Sequence, residues 1–429
     1  MKPQVLAIDM GYGHLRPAAA LADYLAVDVL QMDRAPAGDD ADSRFWERAR
    51  MLYEPLTRFS QLPLIGPPLQ ALLSAITAIP DPWPRRDLSA PTQGTRWLER
   101  AARDGIGRQL AEGLKASGAP LVSTFYAGAI LAELQGAKNL HCVITDSDVN
   151  RVWAPPDAAR SEIVYFAPGD RARRRMESYG VRPSQIRVTG FPLPHELVGG
   201  RERTVLKKNL AGRMVRLDPR RVFRSGHHDE LERKLGPFPL PLDEEQRPPL
   251  LTFAVGGAGA QTPLARALVS GVRPQLLEGT LRLALVAGRR REVAEALHEA
   301  VRDAGVEEQV EILEDADVFG YFRKFNALLA RTDVLWSKPS ELTFFAALGL
   351  PLVCAPPVGV HESWNQCWAV ERGAALQQYE PATAGEWLGE WIKDGTLANA
   401  AWNGFNALPS LGLYEIADAL AGPGEEGAG

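Results

Sequence analysis

The chain has 429 residues, 45% of them hydrophobic and 24% charged, with a formal net charge of -5. A single core stops growing at roughly 250–300 residues, so two domains are expected, each with ample apolar material. The composition excludes a wholly disordered chain, and the acidic balance argues against a nucleic-acid binder, which would carry a basic field.

In chain order, Gln4–Asp9 reads as a short strand that ends at Gly11-Tyr12-Gly13-His14, and an amphipathic helix follows over about Pro17–Leu25. Val27–Met32, Pro120–Phe125, Leu140–Thr145, Glu162–Ala167 and Ile186–Thr189 are further apolar runs, with helical patterns at Thr95–Ser117 and Ala127–Leu134 between them. Such alternation predicts a parallel, doubly wound sheet. The stretch 199–249, rich in Arg, Pro and acidic residues, breaks the rhythm and reads as a linker with an insertion. The plan restarts with the strand Leu250–Val255, a second glycine loop at Gly256-Gly257-Ala258-Gly259, and a helix from Pro263. Strands are expected again at Leu281–Val286, Val310–Leu313, Asp333–Trp336 and Leu350–Ala355, followed by helical sequence over Trp387–Leu420. The expected fold is therefore α/β with two Rossmann-like halves: an N-terminal domain over 1–198, a C-terminal domain over 250–398, a helix near 399–421 that returns to the first, and a disordered tail over 422–429.

Three cysteines, Cys142, Cys354 and Cys367, without a CxxC pair, point to neither a disulfide framework nor a zinc site, and fit a reducing cytoplasm. No signal peptide and no apolar run of the roughly 20 residues needed for a membrane span is visible. The arginine clusters at 171–175 and 289–291 read as solvated helix faces, with contact to phosphate or lipid headgroups as the alternative.

The candidate site residues sit where strands end. Gly11 and Gly13 allow a sharp turn and close approach of a ligand ahead of a helix N-terminus. GxGxxG would need glycine at position 16, which is Arg16, so a dinucleotide site is weakly supported. His14 is either a capping side chain or a general base. Asp146, at the end of a strand in the same half, is a second acid/base candidate or a turn aspartate. In the second half, the N–H groups of Gly256, Gly257 and Gly259 could cradle a diphosphate. After the strand at Trp336, Lys338 offers a phosphate partner, Ser340 and Thr343 offer caps or oxyanion donors, and Glu341 could take ribose hydroxyls; an ordinary N-capped helix is the alternative. His361, Glu362 and Asn365 give a third loop donors and acceptors suited to sugar hydroxyls, capping again being the alternative.

Taken together, these motifs resemble the GT-B glycosyltransferases, and within them the branch of monogalactosyldiacylglycerol synthases and peptidoglycan N-acetylglucosaminyltransferase. Gly11-Tyr12-Gly13-His14 with Pro17-Ala18-Ala19 is similar to that family's N-terminal Gly-Gly-His element, and Thr145-Asp146 with Trp153 to its Thr-Asp…Trp stretch. Gly190-Phe191-Pro192 resembles the close of its N-domain, Gly256–Ala260 its diphosphate loop, and Ser337–Thr343, Gly349-Leu350-Pro351 and Glu362…Asn365 its donor stretch. The resemblance implies two domains facing across a cleft, a UDP-sugar in the C-domain, an acceptor in the N-domain, His14 as base, and neither metal nor cofactor. The family's ribose-binding Glu, five residues before the Gly of Gly-Leu-Pro, is Phe344 in this chain, with Glu341 one turn earlier. The apolar, proline-rich segment 51–83, flanked by Arg48, Arg50, Arg58, Arg85 and Arg86, reads either as core helices or as a surface for a lipid acceptor at the inner membrane face. A UDP-sugar 2-epimerase and a non-catalytic sugar-nucleotide-binding protein are the competing readings.

Overall fold

A computed structural model describes residues 1–59, 78–236, 247–256 and 261–421. The chain forms two compact units: one of 1–194, 359–364 and 411–429, the other of 195–358 and 365–410.

The first unit is built on six parallel strands, β1 (Gln4–Ala7), β2 (Val29–Gln31), β3 (Leu121–Ser123), β4 (Leu140–Val143), β5 (Val164–Ala167) and β6 (Ile186–Val188), in the order β2-β1-β3-β4-β5-β6. Val5 pairs with Val29 on one side and Val122 on the other. Every residue of β3 and β4 is buried, because helices cover both faces; this is why these strands read as continuous apolar runs rather than alternating ones. Helix Tyr12–Leu25 packs against β1 and carries the buried stripe Leu15, Ala18 and Leu21. It also packs against the helix Gly412–Ala421, through an edge-on Tyr24–Tyr414 contact.

The second unit has the strands β7 (Leu250–Ala254), β8 (Arg282–Gly288), β9 (Val310–Glu314), β10 (Val334–Ser337), β11 (Leu352–Cys354) and β12 (Ala375–Gln377), all parallel, in the order β12-β11-β10-β7-β8-β9. Here the segment expected as a linker differs from the expectation. It contains the helices Thr204–Arg216 and Val222–Leu235, both part of this unit. Arg213 is fully buried and spends its guanidinium on the carbonyls of Leu329, Thr332 and Leu348, at 3.2, 2.8 and 2.8 Å. The positive charge that made this segment look solvated is instead a staple for two helix C-termini. The expected C-terminal helical stretch is three helices, of which Ala384–Lys393 and Thr396–Ala407 belong to the second unit and Gly412–Ala421 to the first. The tail 422–429 and most of the apolar segment 51–83 lie outside the described residues.

Candidate functional site

In an open parallel sheet, ligands bind beyond the carboxyl ends of the strands, where chain order reverses. The first sheet reverses between β1 and β3, and the second between β7 and β10. Of the predicted residues, Gly11, Gly13 and His14 follow β1 at the first point, and Gly256, Lys338, Ser340, Glu341 and Thr343 follow the strands that flank the second.

At the first, Gly11 has φ +119°, a conformation that glycine alone adopts without strain. It turns the chain from β1 into helix Tyr12–Leu25, so that His14 lies in the first turn. His14 Nδ1 is 2.8 Å from the carbonyl oxygen of Thr124, directly after β3. A carbonyl only accepts, so Nδ1 carries the proton. Thr124 answers with its own hydroxyl, Oγ1 donating to the His14 carbonyl at 2.7 Å. Thr145 Oγ1 stands 3.4 Å from Nδ1, and Phe125 meets the imidazole edge-on at 4.9 Å, with Trp153 at 6.3 Å. Three strand ends, those of β1, β3 and β4, thus fix one imidazole. Asp146, next to Thr145, is half-buried at the same end.

The loop after β4 is fastened from behind. Asp148 is fully buried against Arg175, with contacts of 2.7 and 2.9 Å, so one member of the 171–175 arginine cluster is a structural ion pair rather than a solvated charge. Arg171 of the same helix lies 5.3 Å over the ring of Trp364. His361 and Glu362 belong to this unit as well; the His361 ring lies against Gly359, and Glu362 is buried.

At the second switch point Lys338, directly after β10, folds over Gly256, two residues after β7. A Cβ on Gly256 would come within 2.6 Å of Lys338 Cε, so glycine makes room for the lysine stem. Residues 341–348 form a 3-10 run, all buried, not the α-helix that the sequence suggests. Three residues per turn put Glu341 and Phe344 on one face, one above the other. Phe344 packs edge-on against Trp368 at 5.2 Å, so the position expected to bind ribose is apolar core, whereas Glu341, buried, is nearer β10. Ser340 precedes the run without a side-chain cap bond, and Thr343 is buried within it. Asn365 is fully buried and is counted with this unit, on the same helix, Val360–Val370, as His361 and Glu362. Gly257 and Gly259 lie outside the described residues.

The sequence reading passed over Thr124 as a site residue, along with Phe125. The signal was available: Thr124 and Phe125 close the apolar run Pro120–Phe125, at the strand end where the switch-point rule looks. Among the described residues, no group of three or more His, Cys, Asp or Glu is placed to hold a metal ion, and no helix is long and apolar enough to cross a membrane.

Comparison with known proteins bears on the fold. The structure of the S. aureus MnaA–UDP complex matches with a TM-score of 0.52 at 14% identity, covering 98% of this chain and 96% of the other. The fold is GT-B. Acinetobacter baumannii MurG matches at a TM-score of 0.49 and 13% identity over 97% and 98% of the two chains. A putative UDP-N-acetylglucosamine 2-epimerase from Listeria monocytogenes matches at 0.46 and 13% over 75% and 77%. Residues 300–415 match a domain of unknown function, DUF6938, which spans the C-terminal part of this GT-B chain. No curated protein matches the sequence.

Proposed function

We propose that this GT-B chain is a glycosyltransferase that uses a nucleotide-sugar donor, a UDP-sugar by its resemblance to the synthase and peptidoglycan-transferase branch. The observation that carries the reading is the His14 clasp: its Nδ1–H is committed to the Thr124 carbonyl, and in this reading Nε2 is the nitrogen that acts as general base. In the reaction, an acceptor hydroxyl attacks C1 of the sugar and passes its proton to Nε2. The bond from C1 to the diphosphate oxygen breaks, and the nucleoside diphosphate leaves with the electron pair. Lys338 neutralises the charge that develops on that leaving group, and Glu341 stands in for the missing ribose carboxylate. Asp146 orients the acceptor or holds the imidazolium once formed.

Calorimetric titration with UDP and UDP-glucose tests the donor half. Binding is expected, weakened roughly tenfold by Lys338→Ala, as for loss of one charge-assisted contact; no binding of either ligand removes the reading. The transfer needs no metal or cofactor in this scheme, so EDTA is expected to leave turnover unchanged. A rate restored only by added divalent ion would overturn that part.

A lipid acceptor is supported by Trp83, 64% exposed with the Arg85 guanidinium 5.1 Å from its ring, and by the exposed Met51 at the other end of the 51–83 segment. Co-sedimentation with anionic phospholipid vesicles is the check, and recovery entirely in the supernatant counts against it. The apolar Phe344 position favours a second reading, sugar-nucleotide binding without transfer. Product analysis separates the readings: transfer requires an acceptor, an epimerase converts UDP-sugar alone, and a binding protein converts nothing.

A further inference from the structure

Helix Thr262–Leu277 starts beyond β7, and the residue just ahead of it is Gln261. Gln261 is only 6% exposed, yet neither its carboxamide oxygen nor its nitrogen has a hydrogen-bond partner among the described residues. Across the switch point, on the run that follows β10, Thr343 is 1% exposed and its Oγ1 is likewise without a partner among the described residues. β7 and β10 are hydrogen-bonded neighbours, with Ala254 opposite Ser337, so the connections that carry Gln261 and Thr343 leave the sheet from the same end of adjacent strands. Lys338 and Gly256 meet at that end. Buried polar atoms are almost always satisfied, and leaving three of them unpaired destabilises the protein. Such a cost is typical of a binding site, not of a core.

The chemistry of these atoms says what they fit. A carboxamide offers an acceptor and two donors, and a hydroxyl offers one of each. A phosphate offers only acceptors, so it would leave Gln261 Oε1 unsatisfied, and Lys338 already supplies the cation that a phosphate requires. A sugar hydroxyl both donates and accepts. We propose that Gln261 and Thr343 form a hydroxyl-reading subsite beside the phosphate position, taking a sugar ring attached to the diphosphate. This deepens the donor-site reading above and rests on it.

The test uses the full chain with Gln261→Leu and Thr343→Val, which replace the unpaired atoms with apolar groups of similar shape. Titration with UDP, UDP-glucose and inorganic diphosphate is paired with thermal unfolding of the unliganded proteins. Each variant is expected to keep or raise its Tm while losing roughly tenfold in affinity for the sugar-bearing ligand. Loss for UDP-glucose alone assigns the subsite to the hexose; equal loss for UDP and UDP-glucose assigns it to the ribose; either supports the inference. Unchanged affinities, a matching loss for inorganic diphosphate, or a lowered Tm in both variants would overturn it. A wild-type chain that binds neither nucleotide overturns the donor reading and this subsite with it, whereas a wild-type chain that binds beside unaffected variants overturns the subsite alone.

Discussion

Two histidines of the first unit put the same ring to opposite uses. His141, in β4, is buried, gives its Nδ1–H to the Leu121 carbonyl at 3.0 Å, and stacks flat on Phe166. Burial, with a smaller push from the charge of Arg187, holds its pKa below the ordinary histidine value. The folded chain therefore refuses a proton that the unfolded chain accepts. This contribution to stability is complete above the unfolded-state value of about 6.5 and is lost as the pH falls from there through the lower value of the folded state. Denaturant unfolding at pH 5 and pH 7 should show the loss, and His141→Asn, which keeps a donor for Leu121 but does not titrate, should reduce it; an identical pH dependence in the variant would reject the assignment. His14 makes the same Nδ1 bond but is only half-buried at a strand end. His14→Asn preserves the donor to Thr124 and removes Nε2, so folding should be retained while turnover falls about 10²- to 10⁴-fold. Steady-state kinetics on the asparagine variant decide it, and near-normal turnover would leave His14 as a structural clasp only. Histidine could be singled out from its place after a glycine loop, but its partner could not, because a backbone carbonyl acceptor has no residue type.

At the scale of elements, the helix Thr204–Arg216 holds the run that carries Glu341 and Thr343. Arg213 bonds the Leu348 carbonyl at the end of that run, and Gly349, at φ +64°, leaves space in which a Cβ would come within 2.6 Å of Leu210 Cδ1. Beside it, Asp333 is fully buried between Arg216 and Arg247 and accepts the backbone N–H of Leu250 at the start of β7. Burial pushes the Arg213 guanidinium down to about 10, which leaves it charged at neutral pH. Arg213→Met would strand several carbonyls at once, and a loss on the order of 3 kcal/mol is expected from chemical denaturation. Arg213→Lys should recover little, since one ammonium cannot reach what the planar fork reaches. A methionine variant as stable as the wild type would show that the staple is dispensable. The strands were legible because sheets covered on both faces demand unbroken apolar runs such as Leu250–Val255. The edge strand β12, Ala375-Leu376-Gln377, has no β-branched or aromatic residue to mark it, and the run at 341–348 reads as an ordinary helix because its 3-10 winding is set by packing rather than by composition. The arginine-rich helices were mistaken for a linker because sequence does not distinguish a buried guanidinium from a solvated one.

For the whole molecule, two doubled sheets follow from sequence alternation, but the route of the chain does not. The first unit is completed by residues 359–364 and by the helix Gly412–Ala421, which arrive after nearly all of the second unit has been made. The reason lies in close backbone contact. A Cβ on Gly412 would come within 2.5 Å of the carbonyl oxygens of both Gly190 and Phe191, where β6 leaves the sheet, and the neighbouring Leu413, Tyr414 and Ile416 are buried. Neither contact atom is a side-chain end that could swing away. Gly412→Ala should therefore cost about 1–3 kcal/mol, in the upper range for single substitutions, and the loss should be local to the first unit. Native-state hydrogen exchange resolves this: amides of β1–β6 should lose protection in the variant while those of β7–β12 keep theirs. Equal loss across both sheets would mean that the two units unfold as one, and no loss at all would mean that the C-terminal helix decorates the first unit without completing its core.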